Sequence, residues 1–391
     1  MPQEIQALPL ASAASEFPLP LDYQPVRPAG FDVARIVLAK GSLSTPVRRR
    51  FVEGICALYP SASVRECPDL PHNRIEVGGE TESVALHQAG KRTLVFGELK
   101  SAVRKSEETG NTCPNYWHFS VYGYCFYGCA YCYLAGTRGV WHSPTVKIYV
   151  NLPEILAEID RTANRLAQQT SFYLGKLQDG LALDPLSGYS TVLMPFFTRH
   201  ELARQVILTK SDAVGRLLDL DHRGHTVLSW SLNPPEIAAE FESNVAPVEA
   251  RLEAMHKAAE AGYPIRAVIM PLIPVPDWEQ KYDAFLRDLL SRVPIARLTF
   301  GGICSYPNAR RLLEDKLGSE NVISQQIVCR GETADGRRRY PRALRVKMYQ
   351  QLARIAREAR PDIELALCLE EPGVWSDVNA AVSLGRCNCV L

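Results

Sequence analysis

Residues 122–134 read YGYCFYGCAYCYL, which puts Cys125, Cys129 and Cys132 in a C-x3-C-x2-C loop. Three thiolates this close in sequence can hold three irons of a cubic 4Fe–4S cluster, for which cysteine thiolate is the usual protein ligand. The fourth iron then has no cysteine and stays open to an outside ligand. An open position points to catalysis more than storage, as it does at zinc sites. Zinc bound by these three thiolates and Cys113 is a weaker alternative, because no second Cys or His pair follows at structural-zinc spacing. Disulfides are weaker still, since eleven cysteines form an odd set in a chain with no apolar secretory leader, the pattern of a reducing compartment.

Working outward, 391 residues leave room for one large α/β barrel-type domain and a smaller unit. The 44 basic and 43 acidic side chains nearly cancel, so the basic excess of a dedicated nucleic-acid binder is missing. No run approaches the roughly 18 apolar residues of a membrane span. These features predict a soluble cytoplasmic protein without a membrane partner.

Residues 1–30, rich in Pro, Ala and Ser, read as a loosely ordered arm, and 31–105 as a small N-terminal α/β unit. Its strands are expected in FDVARIVLAKGSL, SASVREC and RTLVFGEL, and a helix in VRRRFVEGICALYP, whose Arg48, Arg49 and Arg50 read as a solvated face. A polar stretch, 105–111, reads as a linker. HFSVYGY then alternates like a strand that delivers the cysteine loop at its carboxyl end. A helix is expected over 153–168, with Asn151 as N-cap and Pro153 in its first turn. Further strands fall at 171–175, 205–210, 226–232, 265–272, 297–302 and 362–368, separated by amphipathic stretches such as AVGRLLDL, PVEARLEAMHKAAEAG and WEQKYDAFLRDLLSRV. This alternation predicts parallel βα units over 112–376, about six of them, enough for a partial barrel with its chemistry at the carboxyl ends of the strands.

The loop resembles the radical SAM signature C-x3-C-x-aromatic-C, with Tyr131 as the aromatic. Its surroundings (CAYCYL, KIYVNLPEI, LTKS at 208–211, WSLNPPEI at 230–237, EAGYPIRAVIMPLI and CLEEPGVW) resemble the spore photoproduct lyase family over roughly residues 30–376. The resemblance implies a partial (β/α)6 TIM-type radical SAM barrel carrying a 4Fe–4S cluster and S-adenosyl-L-methionine (SAM), and an electron donor such as flavodoxin or ferredoxin. It implies reductive cleavage of SAM to a 5'-deoxyadenosyl radical that takes a hydrogen atom from a substrate. By position it assigns SAM contacts to Tyr133, Asp179, Lys210 and Ser231. A lysine cation, hydroxyls and a carboxylate also suit the polar groups of SAM on chemical grounds.

One departure stands out. The family carries a hydrogen-donating cysteine just ahead of the aspartate matching Asp179, whereas this segment reads YLGKLQDG, with Lys176 near that place and no cysteine between Cys132 and Cys304. The ending GRCNCVL supplies Cys387 and Cys389 on a tail, 377–391, expected to be mobile and to offer a catalytic thiol to the site. A second basic run, Arg337, Arg338, Arg339, Arg342 and Arg345, reads as a solvated helix start, with phosphate binding as the alternative. The leading expectation is thus a radical SAM enzyme acting on a nucleoside-like or other small molecule, with nucleic acid not favoured. The alternatives are a DNA-lesion lyase with a rearranged hydrogen donor, and a non-catalytic iron–sulfur or zinc protein.

Overall fold

The structure, a computed structural model, describes residues 16–79, 82–327, 335–378 and 385–391. In chain order its strands are β1 (Arg35–Ala39), β2 (Ser63–Cys67), β3 (Thr93–Gly97), β4 (Val103–Ser106), β5 (Tyr116–Phe119), β6 (Tyr122–Gly123) and β7 (Val146–Tyr149). The remainder are β8 (Thr170–Leu174), β9 (Ala203–Thr209), β10 (Thr226–Ser231), β11 (Ile265–Ile269), β12 (Ile295–Phe300) and β13 (Glu364–Leu367). They form two sheets, β2-β1-β3-β7-β6 and β13-β12-β11-β10-β9-β8-β5-β4. In the larger sheet β5 and β8 through β13 run parallel, and β4 pairs antiparallel with β5 at one edge. The two edge strands are not paired with each other, so the barrel is open, as a partial TIM-type fold requires.

Each strand from β8 to β12 uses its two faces differently. Phe172, Ile207, Leu228, Ala267 and Leu298 lie in the main apolar core with the surrounding helices. Their sequence neighbours point the other way, in register: Tyr173 opposite Val206, Val227 opposite Val206, Ser229 opposite Arg266, and Arg266 opposite Arg297. That second face is the barrel interior, and its polar members are what a buried site needs.

Helices Leu152–Leu166, Val248–Glu260, Trp278–Arg292 and Arg342–Ala359 fall where the apolar periodicity puts them. Asn151 does precede the first of these, but its amide makes no cap; it exchanges hydrogen bonds with the backbone of Leu99 at 2.9 and 3.1 Å and so ties that helix to the end of β3. AVGRLLDL is not a helix but a series of turns. Eight residues with an internal glycine are too short to offset the cost of helix nucleation. The cover in that place is instead the helix Ser190–Arg199.

The chain is more interwoven than a division at 105–112 implies. β6 and β7, which flank the cysteine loop, belong to the smaller sheet, and β4 belongs to the larger one. Residues 1–15 of the expected arm lie outside the described residues, but 16–30 are packed: Phe17 and Leu19 are buried, and the Tyr23 hydroxyl donates to the Pro185 carbonyl at 2.8 Å. Arg48 is not solvated either; it is buried and paired with Glu98 and, at 2.6 Å, with Glu154. No helix among the described residues is long and apolar enough to cross a membrane.

Candidate active site

The cysteine loop leaves β6 at the carboxyl mouth of the larger sheet. Gly128 fixes its course, because a Cβ there would stand 1.9 Å from the Ser243 hydroxyl, and its N–H donates to the Ser243 carbonyl at 2.7 Å. The loop aromatics serve mainly as packing: Tyr122, Tyr124, Phe126 and Tyr127 are buried, and Phe126 stacks on Phe31 at 4.5 Å. Cys125, Cys129 and Cys132 line one cavity together with Tyr133, Asp179, Lys210 and Ser231. The seven residues expected to hold a cluster and SAM are therefore in one place. Burial pushes the Cys129 thiol up to about 11, with Lys210 pulling the other way. A cluster would relieve that burial by giving the sulfurs metal partners, so the donor set fits a 4Fe–4S group.

The SAM-side residues form one connected network. Lys210 follows β9, and its ammonium donates to the Ser231 hydroxyl at 2.8 Å and to the Tyr131 hydroxyl at 3.1 Å. It also lies 3.0 Å from Glu242, which Arg251 engages from the far side at 2.6 Å. Burial pushes Glu242 up, but the two cations outweigh it and hold the carboxyl at about 2. Sequence reading missed Glu242 and Arg251. Their signal was two charges of opposite sign nine residues apart, downstream of WSLNPPEI.

Asp179, a SAM contact by position, lines the cavity with its carboxylate bonded to the neighbouring chain. One carboxylate oxygen accepts the N–H groups of Leu181 and Ala182 at 3.0 and 2.9 Å and the Thr209 hydroxyl at 2.6 Å; the other accepts the Lys210 N–H at 2.7 Å. Its acceptors thus brace the ends of β8 and β9 and set the direction of Lys210. Tyr133 donates to the Lys176 carbonyl at 2.6 Å.

Below this cavity lies a second one, lined by Cys113, Cys368, Cys387 and Cys389. The two share Tyr133, Gly175, Leu208, Val268, Met270 and Cys304 as a common wall. Residues 379–384 of the tail lie outside the described residues, but 385–391 are packed and form no mobile arm: Cys387 and Cys389 are only 2% and 9% exposed. Residues 385–391 close the barrel near the starts of its strands. Arg297 donates to the carbonyls of Cys387 and Val390 at 2.8 and 2.9 Å, Arg266 to that of Asn388 at 3.1 Å, and Ser171 to that of Cys389 at 3.2 Å. Cys113, Cys387 and Cys389 line this cavity side by side, near enough for each thiol to perturb the next.

The segment 105–111 is no linker but part of this lower wall. Glu108 is buried and paired with Lys176 at 2.8 Å and Arg337 at 3.0 Å. Lys176 thus occupies the place of the missing cysteine as an ion-pair partner. The arginine run is likewise paired: Arg337 and Arg339 engage Asp335, Arg345 engages the buried Glu370, and Arg342, half exposed, engages Asp377 at 2.7 Å. Carboxylates near in sequence (Asp335) and distant (Glu108, Glu370, Asp377) neutralise a cluster that reads as a solvated helix start.

An open parallel barrel with three cysteines at its mouth, facing a lysine and a serine on successive strands, defines the radical SAM class of enzyme. The family model described as "Spore photoproduct lyase" matches residues 50–305. The chain belongs to the spore photoproduct lyase family. It is 31% identical over 235 residues to the spore photoproduct lyase of Geobacillus sp. (strain Y412MC61), covering 59% of this chain and 67% of the relative. To the Bacillus subtilis (strain 168) protein it is 28% identical over 225 residues, 57% of this chain and 64% of the relative. The matches thus span about two thirds of those relatives. In fold it is similar to a spore photoproduct lyase complexed with dinucleoside spore photoproduct, with a TM-score of 0.74, 22% identity, and 86% and 98% of the two chains covered. A mutant spore photoproduct lyase with bound AdoMet and the same dinucleoside gives a TM-score of 0.73 at 22% identity, with the same coverage. The 4Fe–4S cluster and SAM expected from the sequence are the cofactors of this family.

Proposed function

We propose that this chain is a radical SAM lyase of the spore photoproduct type, acting on a nucleoside-derived lesion and returning hydrogen to the product from the thiols of Cys389 and Cys387. The supporting observation is the lower cavity, in which these thiols are separated from the SAM-side residues by a single shared wall. The cluster and SAM, when bound, supply a 5'-deoxyadenosyl radical.

The remaining chemistry belongs to the chain. Lys210 and Ser231 orient the polar groups of SAM, with Asp179 holding the strand ends and Glu242 holding Lys210. Leu208, Val268 and Met270 keep water from the space between the cavities. Cys113 pulls the Cys387 thiol down, but Cys389 and burial together push it further up, so it stays protonated and carries the hydrogen atom the step needs. In that step one S–H bond breaks, one C–H bond forms on the substrate carbon, and the unpaired electron passes to sulfur. Exchange along Cys113, Cys387 and Cys389 is between like bonds and so close to thermoneutral. Lys176, held by Glu108, has no hydrogen atom of comparable lability to give.

The test is turnover of a dinucleoside lesion in D2O by the native chain and by the Cys387→Ala/Cys389→Ala variant. Solvent deuterium in the product of the native chain, with normal 5'-deoxyadenosine but diverted product in the variant, is the expected result. Unchanged product and rate in the variant would refute the thiol assignment, and absence of 5'-deoxyadenosine from either would favour a non-catalytic metal protein.

A small-molecule substrate is the second reading. It is favoured by the balanced charge and by the internal ion pairs that engage Arg337, Arg339, Arg342 and Arg345. Binding to lesion-bearing duplex DNA that weakens steeply with salt would count against it.

A further inference from the structure

The cysteine loop has a second side. Its cysteines face the SAM-side cavity, while Phe126 and Gly128, alternating with them, line a separate recess that also contains Lys91, Arg92 and Lys316. These cations come from three places: the helix Ser83–Lys91, the residue that follows it, and the last turn of the helix Pro307–Leu317. Among the described residues neither Lys91 nor Lys316 has an ion-pair partner; Arg92 is paired with Asp32 at 2.6 Å on the surface. Asp315, beside Lys316, is engaged by the Ser83 hydroxyl at 2.8 Å. His87 adds no charge, because burial and the two neighbouring lysines lower it to about 4.

The lysines also act on the loop itself. Lys91 donates to the Tyr127 carbonyl and sits 5.1 Å from the centre of the Tyr124 ring. Both lysines lie within Coulombic reach of the cysteine sulfurs. The one carboxylate lining the recess, Asp32, is engaged by Arg92, so Lys91 and Lys316 repel one another, a cost that anions on either side would offset. A cluster with three thiolates supplies negative charge on the inner side. The outer side opens to solvent.

Resting on the radical SAM reading above, we propose that this recess is the docking face for a one-electron carrier protein with an acidic contact surface, and that electrons enter through the outer side of the cysteine loop. In the transfer the carrier loses one electron and the cluster gains one, with no bond made or broken. Lys91 and Lys316 meet the carrier's carboxylates on the side of the loop away from the SAM-side cavity.

The test uses the reconstituted chain, with reduced flavodoxin as the acidic probe and methyl viologen radical cation as a cationic control. Cluster reduction is followed by stopped flow and binding of oxidised flavodoxin by calorimetry. Reversing two charges (Arg92→Glu with Lys316→Glu) should slow reduction by flavodoxin by about tenfold or more at low salt, abolish its salt dependence and weaken binding. Reduction by viologen should be no slower. Lys316→Gln, a milder change that keeps the fold if the double reversal does not, should show a smaller loss in the same direction. A flavodoxin rate and affinity unchanged in both variants would overturn the proposal. Failure of the viologen-reduced chain to release 5'-deoxyadenosine from SAM would instead overturn the reading beneath it.

Discussion

Replacing Glu242 with glutamine removes the carboxylate that Lys210 and Arg251 share, and leaves both cations buried. Glu242 is 0% exposed in its side chain, Arg251 1% and Lys210 12%, so water cannot make good the loss. Breaking a buried pair by deleting one partner costs roughly 3–5 kcal/mol. A second route gives a similar figure: the carboxyl falls from 4.5 to about 2 on folding, and at about 1.4 kcal/mol per pH unit this is roughly 3 kcal/mol. The sign follows from the depression. A carboxyl with a lowered folded value contributes its stability in full above the ordinary value of 4.5 and loses it as pH falls toward about 2. Denaturant unfolding of the anaerobic native chain and of Glu242→Gln should therefore differ by about 3 kcal/mol at pH 7, and the difference should shrink steadily from about pH 5 downward. A difference below about 1 kcal/mol at neutral pH, or one that does not change with acid, would refute the claim that this carboxylate holds the SAM-side lysine in place.

Lys210→Met should weaken SAM binding by roughly 10–100-fold while leaving iron content intact, the value of a lost charge-assisted hydrogen bond; calorimetry on the loaded chain checks this. Gly128→Ala should lower iron loading and destabilise by about 1–3 kcal/mol, because the added Cβ collides with Ser243, and iron analysis with thermal unfolding reads both effects. Lys147 is held by burial at about 7, well below 10.5, so its proton is bound over a wider pH range in the unfolded chain and stability rises between those values. Lys147→Met should flatten that rise and increase neutral stability by on the order of 1–3 kcal/mol, measured as denaturation midpoints from pH 7 to about 10. Arg297→Met removes the donor that holds the Cys387 and Val390 carbonyls, so alkylation of Cys387 and Cys389, slow in the native chain, should speed up by about tenfold or more.

The residues that repeat locally were the legible ones. Strands at 171–175, 226–232 and 297–302 were readable because β-branched and aromatic residues crowd between turn signals, and they recur at Thr170–Leu174, Thr226–Ser231 and Ile295–Phe300. Cys125, Cys129 and Cys132 were legible as a candidate donor set because all three sit on one short loop, and they line one cavity. Charges were not, because a charged side chain is interpreted through its partner and the partners are remote: Glu108 meets Arg337 across 229 residues, and Arg48 meets Glu154 across 106. The apparent linker at 105–111 and Arg48 were misread for that reason, while the run at 337–345 also has a near partner, Asp335. The tail failed similarly. Nothing within GRCNCVL indicates that Arg266, Arg297 and Ser171 will hold it, and termini default to disorder when no distant donor is known. Asp179 shows a subtler limit: it lines the expected cavity, but the N–H groups and the Thr209 hydroxyl that bind its carboxylate there were not legible.

The closure of the barrel by residues 385–391 has a consequence for the order in which the protein is built. Every strand this segment seals, from β5 to β13, leaves the ribosome before it does, so the growing chain carries an interior whose buried arginines and serines have not yet met their carbonyl acceptors. Domains of this size tend to acquire structure as they emerge. For this chain the barrel interior is therefore open from below until residues 385–391 have docked, and the thiols proposed to work there reach it after all of its strands.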